Sequence, residues 1–222
     1  MRIMVGGLAA GSVFGSLTSF VNALSSPYAQ LGTRFTGTVW AKTAKVLSLL
    51  MDAGWCWAAL AVGMGWLAGG RALGAATGAL SLVAASAAYY ATDAYLLGEP
   101  FALFAGETLM WSVTGLLFGS VLGAVGATVG RPGLPGLLAA LTVPLGAAAQ
   151  MLVMPPRPHA TVTPSVLLAE VVVWTAAVLG AGWAVHRFRV TRRVAGSESG
   201  SGSESRSAFE SRSGVGSGSG RA

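Results

Sequence analysis

The chain contains few of the residues from which enzymes build metal sites. Among its 222 residues there is one cysteine, Cys56, and there are two histidines, His159 and His186. One cysteine excludes an intrachain disulfide and a cysteine-based zinc site, and two histidines are too few for a histidine-rich one. Gly-x-Ser-x-Gly, Walker and His-Glu-x-x-His motifs do not occur in the sequence. We therefore expect no metal, no cofactor and no enzymatic activity.

Charge is also scarce. Charged residues make up 10% of the chain, whereas apolar residues make up 53% and there are 32 glycines. A soluble globule of this length could not bury so much apolar surface. The net charge of +6 comes largely from arginines at the ends of apolar runs, where they would meet lipid headgroups rather than nucleic acid. The composition indicates a polytopic integral membrane protein.

Six apolar runs are long enough to cross a hydrocarbon core of about 30 Å as helices. Runs of this length are not barrel strands, which have about 10 residues and alternate in polarity. The predicted fold class is all-α: a bundle of six transmembrane helices in residues 1–194, followed by a disordered tail in residues 195–222. The runs cover residues 3–24, 46–69, 72–98, 101–130, 134–155 and 164–185.

The two ends of the chain differ in composition. The first run follows Met1 and Arg2 and exceeds the usual h-region of about 7 to 15 residues, which favours a retained helix over a signal peptide cleaved after Ala23. Residues 195–222 contain ten serines and seven glycines. A segment with so little to bury is expected to be flexible and solvated.

The distribution of cations predicts the orientation. With six helices, both termini and the loops at Arg71 and Arg131 share one face, which carries seven cations outside the tail against four on the other. Because cytoplasmic loops are enriched in Lys and Arg, we expect a bacterial inner-membrane protein with both termini in the cytoplasm. Every acidic residue of the bundle falls on the opposite face.

Four of these acids form the candidate polar cluster. One interpretation is that they converge on an outer vestibule as proton carriers or as oxygen ligands for a cation. The other is that they are interfacial acids that pair with Lys42, Lys45 or Arg157, or that face water. The four candidates are Asp52, Asp93, Glu107 and Glu170.

Glycines recur at four-residue steps in two of the runs. The first row is Gly7, Gly11 and Gly15, and the second is Gly115, Gly119 and Gly123. Such rows form flat grooves that allow close helix packing, within one bundle or between copies of a homo-oligomer. The residues around the two rows also resemble each other, which suggests either an inverted duplication or chance similarity in Ala- and Gly-rich sequence.

Residues 34–50 connect the first two runs and mix apolar residues with Arg34, Lys42 and Lys45. A short helix lying in the membrane interface is one interpretation. An irregular loop whose cations meet headgroups or carboxylates is the other. The spacing of the apolar residues does not decide between them.

One pattern resembles a known family. Tyr89-Tyr90-x-x-Asp93, followed by Trp111 and the glycine row from Gly115 to Gly126, is similar to a family of small multi-pass membrane proteins of unknown function from actinobacteria. The preference for Arg over Lys and the Ala and Gly content are also similar. The resemblance implies an integral membrane fold over residues 5–185 and no assigned activity. The tail and the long basic first loop depart from it.

Two functions fit these observations. The acids on one face and the two similar glycine rows favour a small transporter-like bundle for an ion or small solute. The small-residue grooves and the free tail favour a non-transporting subunit or scaffold for a protein partner. Besides the lipid bilayer, the expected partners are a second copy or another membrane protein.

Overall fold

The computed structural model describes the backbone of residues 1–155 and 163–213, and side chains within these ranges up to Arg193. The described chain folds into helices, which confirms the all-α prediction. A 3-10 turn, Phe101–Phe104, precedes the sixth helix. The helices are α1 (Arg2–Ser25), α2 (Gln30–Phe35), α3 (Val39–Met51), α4 (Gly54–Ala68), α5 (Arg71–Leu97), α6 (Ala105–Gly126), α7 (Leu134–Val153) and α8 (Pro164–Ser213).

Five segments are each long and apolar enough to cross a membrane. They are α1, α5, α6 with the turn before it, α7, and the part of α8 up to Arg193. The pair formed by α3 and α4 meets the same criteria only when taken together, which would make six spans. These helices confirm an integral membrane protein of the helical-bundle class.

The second predicted span requires a correction. Residues 46–69 were expected to form one helix, but the chain bends by 63° between α3 and α4. Ala53 adopts an extended conformation (φ −70°, ψ 135°) between Asp52, which ends α3, and Gly54, which begins α4. Asp and Gly both favour helix ends over helix interiors, which is consistent with a break here. The 15 residues of α4 reach only about 22 Å.

Helix α5 is the centre of the bundle, and α1 packs along it through the first glycine row. A Cβ at Gly11 would overlap the carbonyl oxygen of Ser81, and one at Gly15 would overlap that of Ala85. The two backbones are therefore in direct contact. The contact pairs advance together along both helices, so α1 and α5 run parallel.

The second glycine row packs α6 against another part of α5, and these two helices run antiparallel. A Cβ at Gly119 would lie 2.7 Å from the Gly78 carbonyl oxygen, and one at Gly123 would overlap the Gly74 carbonyl. Helix α4 joins the same region, because Gly65 faces the carbonyl of Gly123 just as closely. Both glycine rows thus serve contacts within one chain.

The parallel packing of α1 and α5 bears on the number of spans. If both helices start on the same face, the chain between them has to return to that face before Arg71. The bent pair α3–α4 is the part of the chain that makes this return. The geometry therefore favours six crossings, one of them bent.

Helices α7 and α8 form a second unit beside this core. Buried Ala147 and Met151 of α7 pack against Val173 and Ala177 of α8, and Leu50 of α3 lies against this cluster. Helix α8 contacts α3 as well as α7. Helix α3 therefore joins the two units, since it also contacts α1.

The segment of residues 34–50 is largely helical rather than irregular. Helix α3 begins after Thr38, whose hydroxyl accepts a hydrogen bond from the Ala41 N–H at 3.3 Å. Val39 and Trp40 on its first turn are about three-quarters exposed. The segment is therefore helical and not an irregular loop. Its location in the membrane interface, which an exposed Trp beside cations would fit, stays a prediction.

Helix α8 extends beyond the predicted end of the sixth span. It runs to Ser213 and so includes part of the segment for which a flexible tail was expected. Residues 214–222 and the side chains after Arg193 lie outside the described part of the chain. The flexible tail stays a prediction.

The close contact of α1 with α5 predicts a position-specific effect of adding one methyl group. Gly11→Ala should lower the melting temperature in detergent, because two backbones must separate to admit the Cβ, and overpacking costs about 1–3 kcal/mol. Gly6→Ala is the matched control, since a Cβ there meets nothing within 4 Å. Equal melting temperatures for the two variants would contradict this packing.

Candidate polar site at the bend between α3 and α4

A set of polar side chains lies where the second halves of α1 and α5 meet the end of α3. The set lies beyond the glycine contacts, toward the ends of both α1 and α5. We call it the polar network. Its members are Ser16, Ser19, Asn22, Ser48, Asp52, Tyr89, Thr92 and Asp93.

Asn22 is the hub of this network. Its amide nitrogen donates to the Tyr89 hydroxyl at 3.2 Å and lies 3.4 Å from Oδ1 of Asp52. Its amide oxygen accepts a hydrogen bond from the Ser48 hydroxyl at 2.7 Å. One amide therefore ties three helices together, and both of its N–H groups have partners. Because the Tyr89 oxygen acts as an acceptor here, its own hydrogen is available to donate.

Asp93 is held by α1. The hydroxyl of Ser19, which is fully buried, donates to Oδ1 of Asp93 at 3.1 Å. One turn away, the Thr92 hydroxyl donates to Ser16 at 3.0 Å. Asp93 itself is half-buried, whereas Asp52 is exposed. The two carboxylates therefore differ in their exposure.

The bend leaves backbone groups at two helix ends, and side chains satisfy them. The Trp57 ring nitrogen donates to the Met51 carbonyl at the end of α3. The Gln150 side-chain oxygen of α7 accepts the Trp55 N–H at the start of α4 at 3.0 Å. In a lipid environment such groups need partners within the protein. Contacts from Trp57 of α4 and Gln150 of α7 therefore stabilise the bend.

Aromatic rings continue from the network across the bundle. Trp57 contacts Phe14 with ring centroids 5.3 Å apart and Tyr89 at 6.5 Å, both edge to face. Tyr89 in turn contacts Tyr90 at 5.2 Å, and Tyr90 lies 6.3 Å from Phe104. Such edge-to-face pairs add stability beyond their buried area. They hold Tyr89 in place beside Asn22.

Glu107 and Glu170 have different positions. Glu107 is exposed on the first turn of α6, where a negative charge suits the helix dipole. Glu170 is half-buried on α8, one turn before Val173, in the unit built from α7, α8 and α3. A single vestibule of all four acids stays a prediction.

The partners of several polar side chains around the bend could not be read from the sequence. Asn22, Ser48 and Gln150 are single polar residues within or beside long apolar stretches. One signal was available: Ser16, Ser19 and Asn22 recur at three-residue steps, which places them on one helical face. Their partners on α3 and α5 depend on tertiary packing.

The network consists of oxygen atoms and one amide nitrogen. Hydroxyl and carboxylate oxygens suit protons and hard cations. No group of three or more His, Cys, Asp or Glu with metal-binding geometry occurs in the described ranges.

Comparison with protein-family models, curated proteins and solved structures gives no match to this chain. The resemblance to the actinobacterial membrane family therefore stays a prediction.

The hub predicts an energetic coupling between α1 and α3. In a double-mutant cycle with Asn22→Ala and Ser48→Ala, we expect the two changes to be coupled by about 0.6 kcal/mol, and by no more than about 1.7, as for other hydrogen bonds between membrane helices. Unfolding in mixed detergent measures the free energies. Thr43→Ala with Asn22→Ala is the control, because Thr43 bonds only to its own helix at Val39. Strict additivity for the first pair would contradict the contact.

Proposed function

We propose that the protein is a small transporter-like bundle for a cation, the proton included, and that Asp93 is the group that binds it. The observation that supports this proposal is the pair of carboxylates, Asp52 and Asp93, in one polar network at a broken membrane span. Ionisable residues within spans usually face a bundle interior or a water-filled cavity and belong to ion or proton pathways.

The bend strengthens the proposal. Secondary transporters often place their ion sites at discontinuous helices, where backbone and side-chain oxygens meet. Here the break between α3 and α4 begins at Asp52, and Asn22 links that carboxylate to Tyr89 of α5. A cation at Asp52 would therefore lie beside the Asn22 amide, whose nitrogen also reaches the Tyr89 hydroxyl of α5.

The alternative is a non-transporting subunit or scaffold for another membrane protein. Exposed apolar residues along α6, such as Leu117, Phe118 and Val121, could meet a partner helix. Lipid accounts for the same exposure, so this surface does not favour a partner. We favour transport because two carboxylates, Asp52 and Asp93, both belong to the polar network.

Asp93→Asn tests the proposal. The amide retains the size of the side chain and an oxygen that can accept from Ser19, but it removes the charge. In vesicles reconstituted with the purified full chain, we expect electrogenic flux of H⁺, Na⁺ or K⁺ from the wild type and at least a tenfold smaller flux from the variant. Fluorescent indicators of pH and of each ion measure these fluxes.

Glu99→Gln is the matched control, because it removes one charge on the same face from an exposed loop position. It should transport like the wild type. Equal flux from Asp93→Asn and the wild type would exclude Asp93 as the binding group. Absence of flux for all three ions in the wild type would favour the non-transporting subunit.

We further propose an inner-membrane location with both termini in the cytoplasm, supported by the excess of arginines on that face. In a Cys56→Ala background, a cysteine replacing Glu99 should react with an impermeant maleimide on intact cells. A cysteine replacing Pro132 should react only after lysis. Both positions are exposed and lie at opposite ends of α6. The reverse labelling pattern would invert the orientation.

A further inference from the structure

A cavity of about 260 Å³ lies between α7 and α8, at the end of the bundle away from the polar network. It is bordered by the loop that joins α6 to α7. Its lining combines two arginines and a hydroxyl with an apolar wall. The polar members are Arg131, Arg187 and Thr191, and the apolar ones include Val129, Leu137, Ala140, Ala184 and Phe188.

The Arg187 guanidinium is held at the edge of this cavity. One of its nitrogens donates to the Gly130 carbonyl at 3.4 Å, and the group lies 5.5 Å from the centroid of the Trp183 ring. A guanidinium carries five N–H donors, so this bond leaves others for a ligand. The aromatic contact favours the charged group at this place.

Arg131 projects from a loop whose backbone is fixed. Its N–H donates to the Thr128 carbonyl at 3.0 Å. Its own carbonyl lies so close to Gly136 that a Cβ there would overlap it. The Arg131 side chain is exposed. The cavity therefore has two cationic side chains, one half-buried and one accessible.

The start of α7 adds further donors. Gly133 precedes the helix with a φ of +87° and has no side chain to cap it. The N–H groups of Leu134 and Gly136 belong to the first turn, where an α-helix leaves N–H groups without intrahelical partners. Gly136 lines the cavity. This end of the helix dipole adds to the positive potential that the arginines create.

The apolar wall indicates what kind of anion fits. Ala140, Ala184 and Phe188 would meet hydrocarbon or a glycerol backbone rather than a hydrated ion. Leu134 and Leu138 on the same end of α7 are 57% and 64% exposed, which presents lipid-facing surface next to the cavity. The volume is slightly below the roughly 300 Å³ at which drug-sized ligand pockets begin. It suits a headgroup whose acyl chains remain outside.

We propose that this cavity binds the phosphate of an anionic phospholipid headgroup, with Arg131 and Arg187 as its cationic partners. Basic pockets between membrane helices are a known way to hold such headgroups. The glycerol and the first carbons of the acyl chains lie on the apolar wall. Bound in this way, the lipid joins the start of α7 to the end of the apolar part of α8. The site does not depend on cation transport.

Titration of the purified full chain with short-chain phosphatidylglycerol tests the site. Native mass spectrometry should show one saturable lipid that phosphatidylcholine does not replace. The double variant Arg131→Gln/Arg187→Gln should bind it about 25-fold more weakly, since each arginine near a phosphate contributes roughly fivefold. Because Arg187 also bonds Gly130, the single variant Arg131→Gln tests the site if the double variant is unstable. It should weaken binding about fivefold.

The charge-matched control is Arg71→Gln/Arg189→Gln, which removes two exposed cations from the same face but none from the cavity. We expect it to change the affinity less than about twofold, since neither charge contacts the headgroup. An equal loss of lipid affinity in both double variants would show that binding depends only on surface charge and would overturn the site. Equal binding of phosphatidylcholine would also overturn it. Inorganic phosphate binding as tightly as the lipid would replace the lipid site with a free-anion site.

Discussion

The direct contact of two helix backbones, those of α1 and α6, with α5 is the constraint on which the rest of the bundle depends. Lipid supplies no hydrophobic force between helices, so their association relies on packing and on hydrogen bonds between them. At Gly11 and Gly119 the absence of a side chain lets α1 and α6 reach the α5 main chain. The two similar glycine rows therefore have a local reason to share a spacing, whether or not they arose by duplication.

This packing fixes the register of the polar network. With Gly15 against Ala85, the next turns of α1 place Ser19 and Asn22 beside the last turns of α5. Ser19 then reaches Asp93, and Asn22 reaches Tyr89. Hydrogen bonds between membrane helices contribute modestly, so they select the orientation of the side chains more than they hold the helices together. The glycine contacts position the network, and the network positions its carboxylates.

The sequence predicts where helices form but not which side chains of different helices meet. Long apolar runs determine where helices form, so the boundaries of α1 and α5 agree with the sequence to within two residues. The bend at Ala53 was not predicted, because mean hydropathy continues across it while one residue adopts an extended conformation. The roles of Asn22 and Gln150 depend on helices distant in sequence, and no local pattern encodes such partners.

The middle of the α1–α5 contact limits how a cation could cross. Thr77 and Ser81 are fully buried there, and their hydroxyls bond to carbonyls of their own helix, Leu73 and Gly78. Hydroxyls bonded in this way do not form a path between helices. The proposed cation pathway from Asp93 toward the arginine-rich face would therefore follow another surface of the bundle. Helix α4 borders the network through Trp57 and begins at the break, so the proposal points to the α4 side of the bundle.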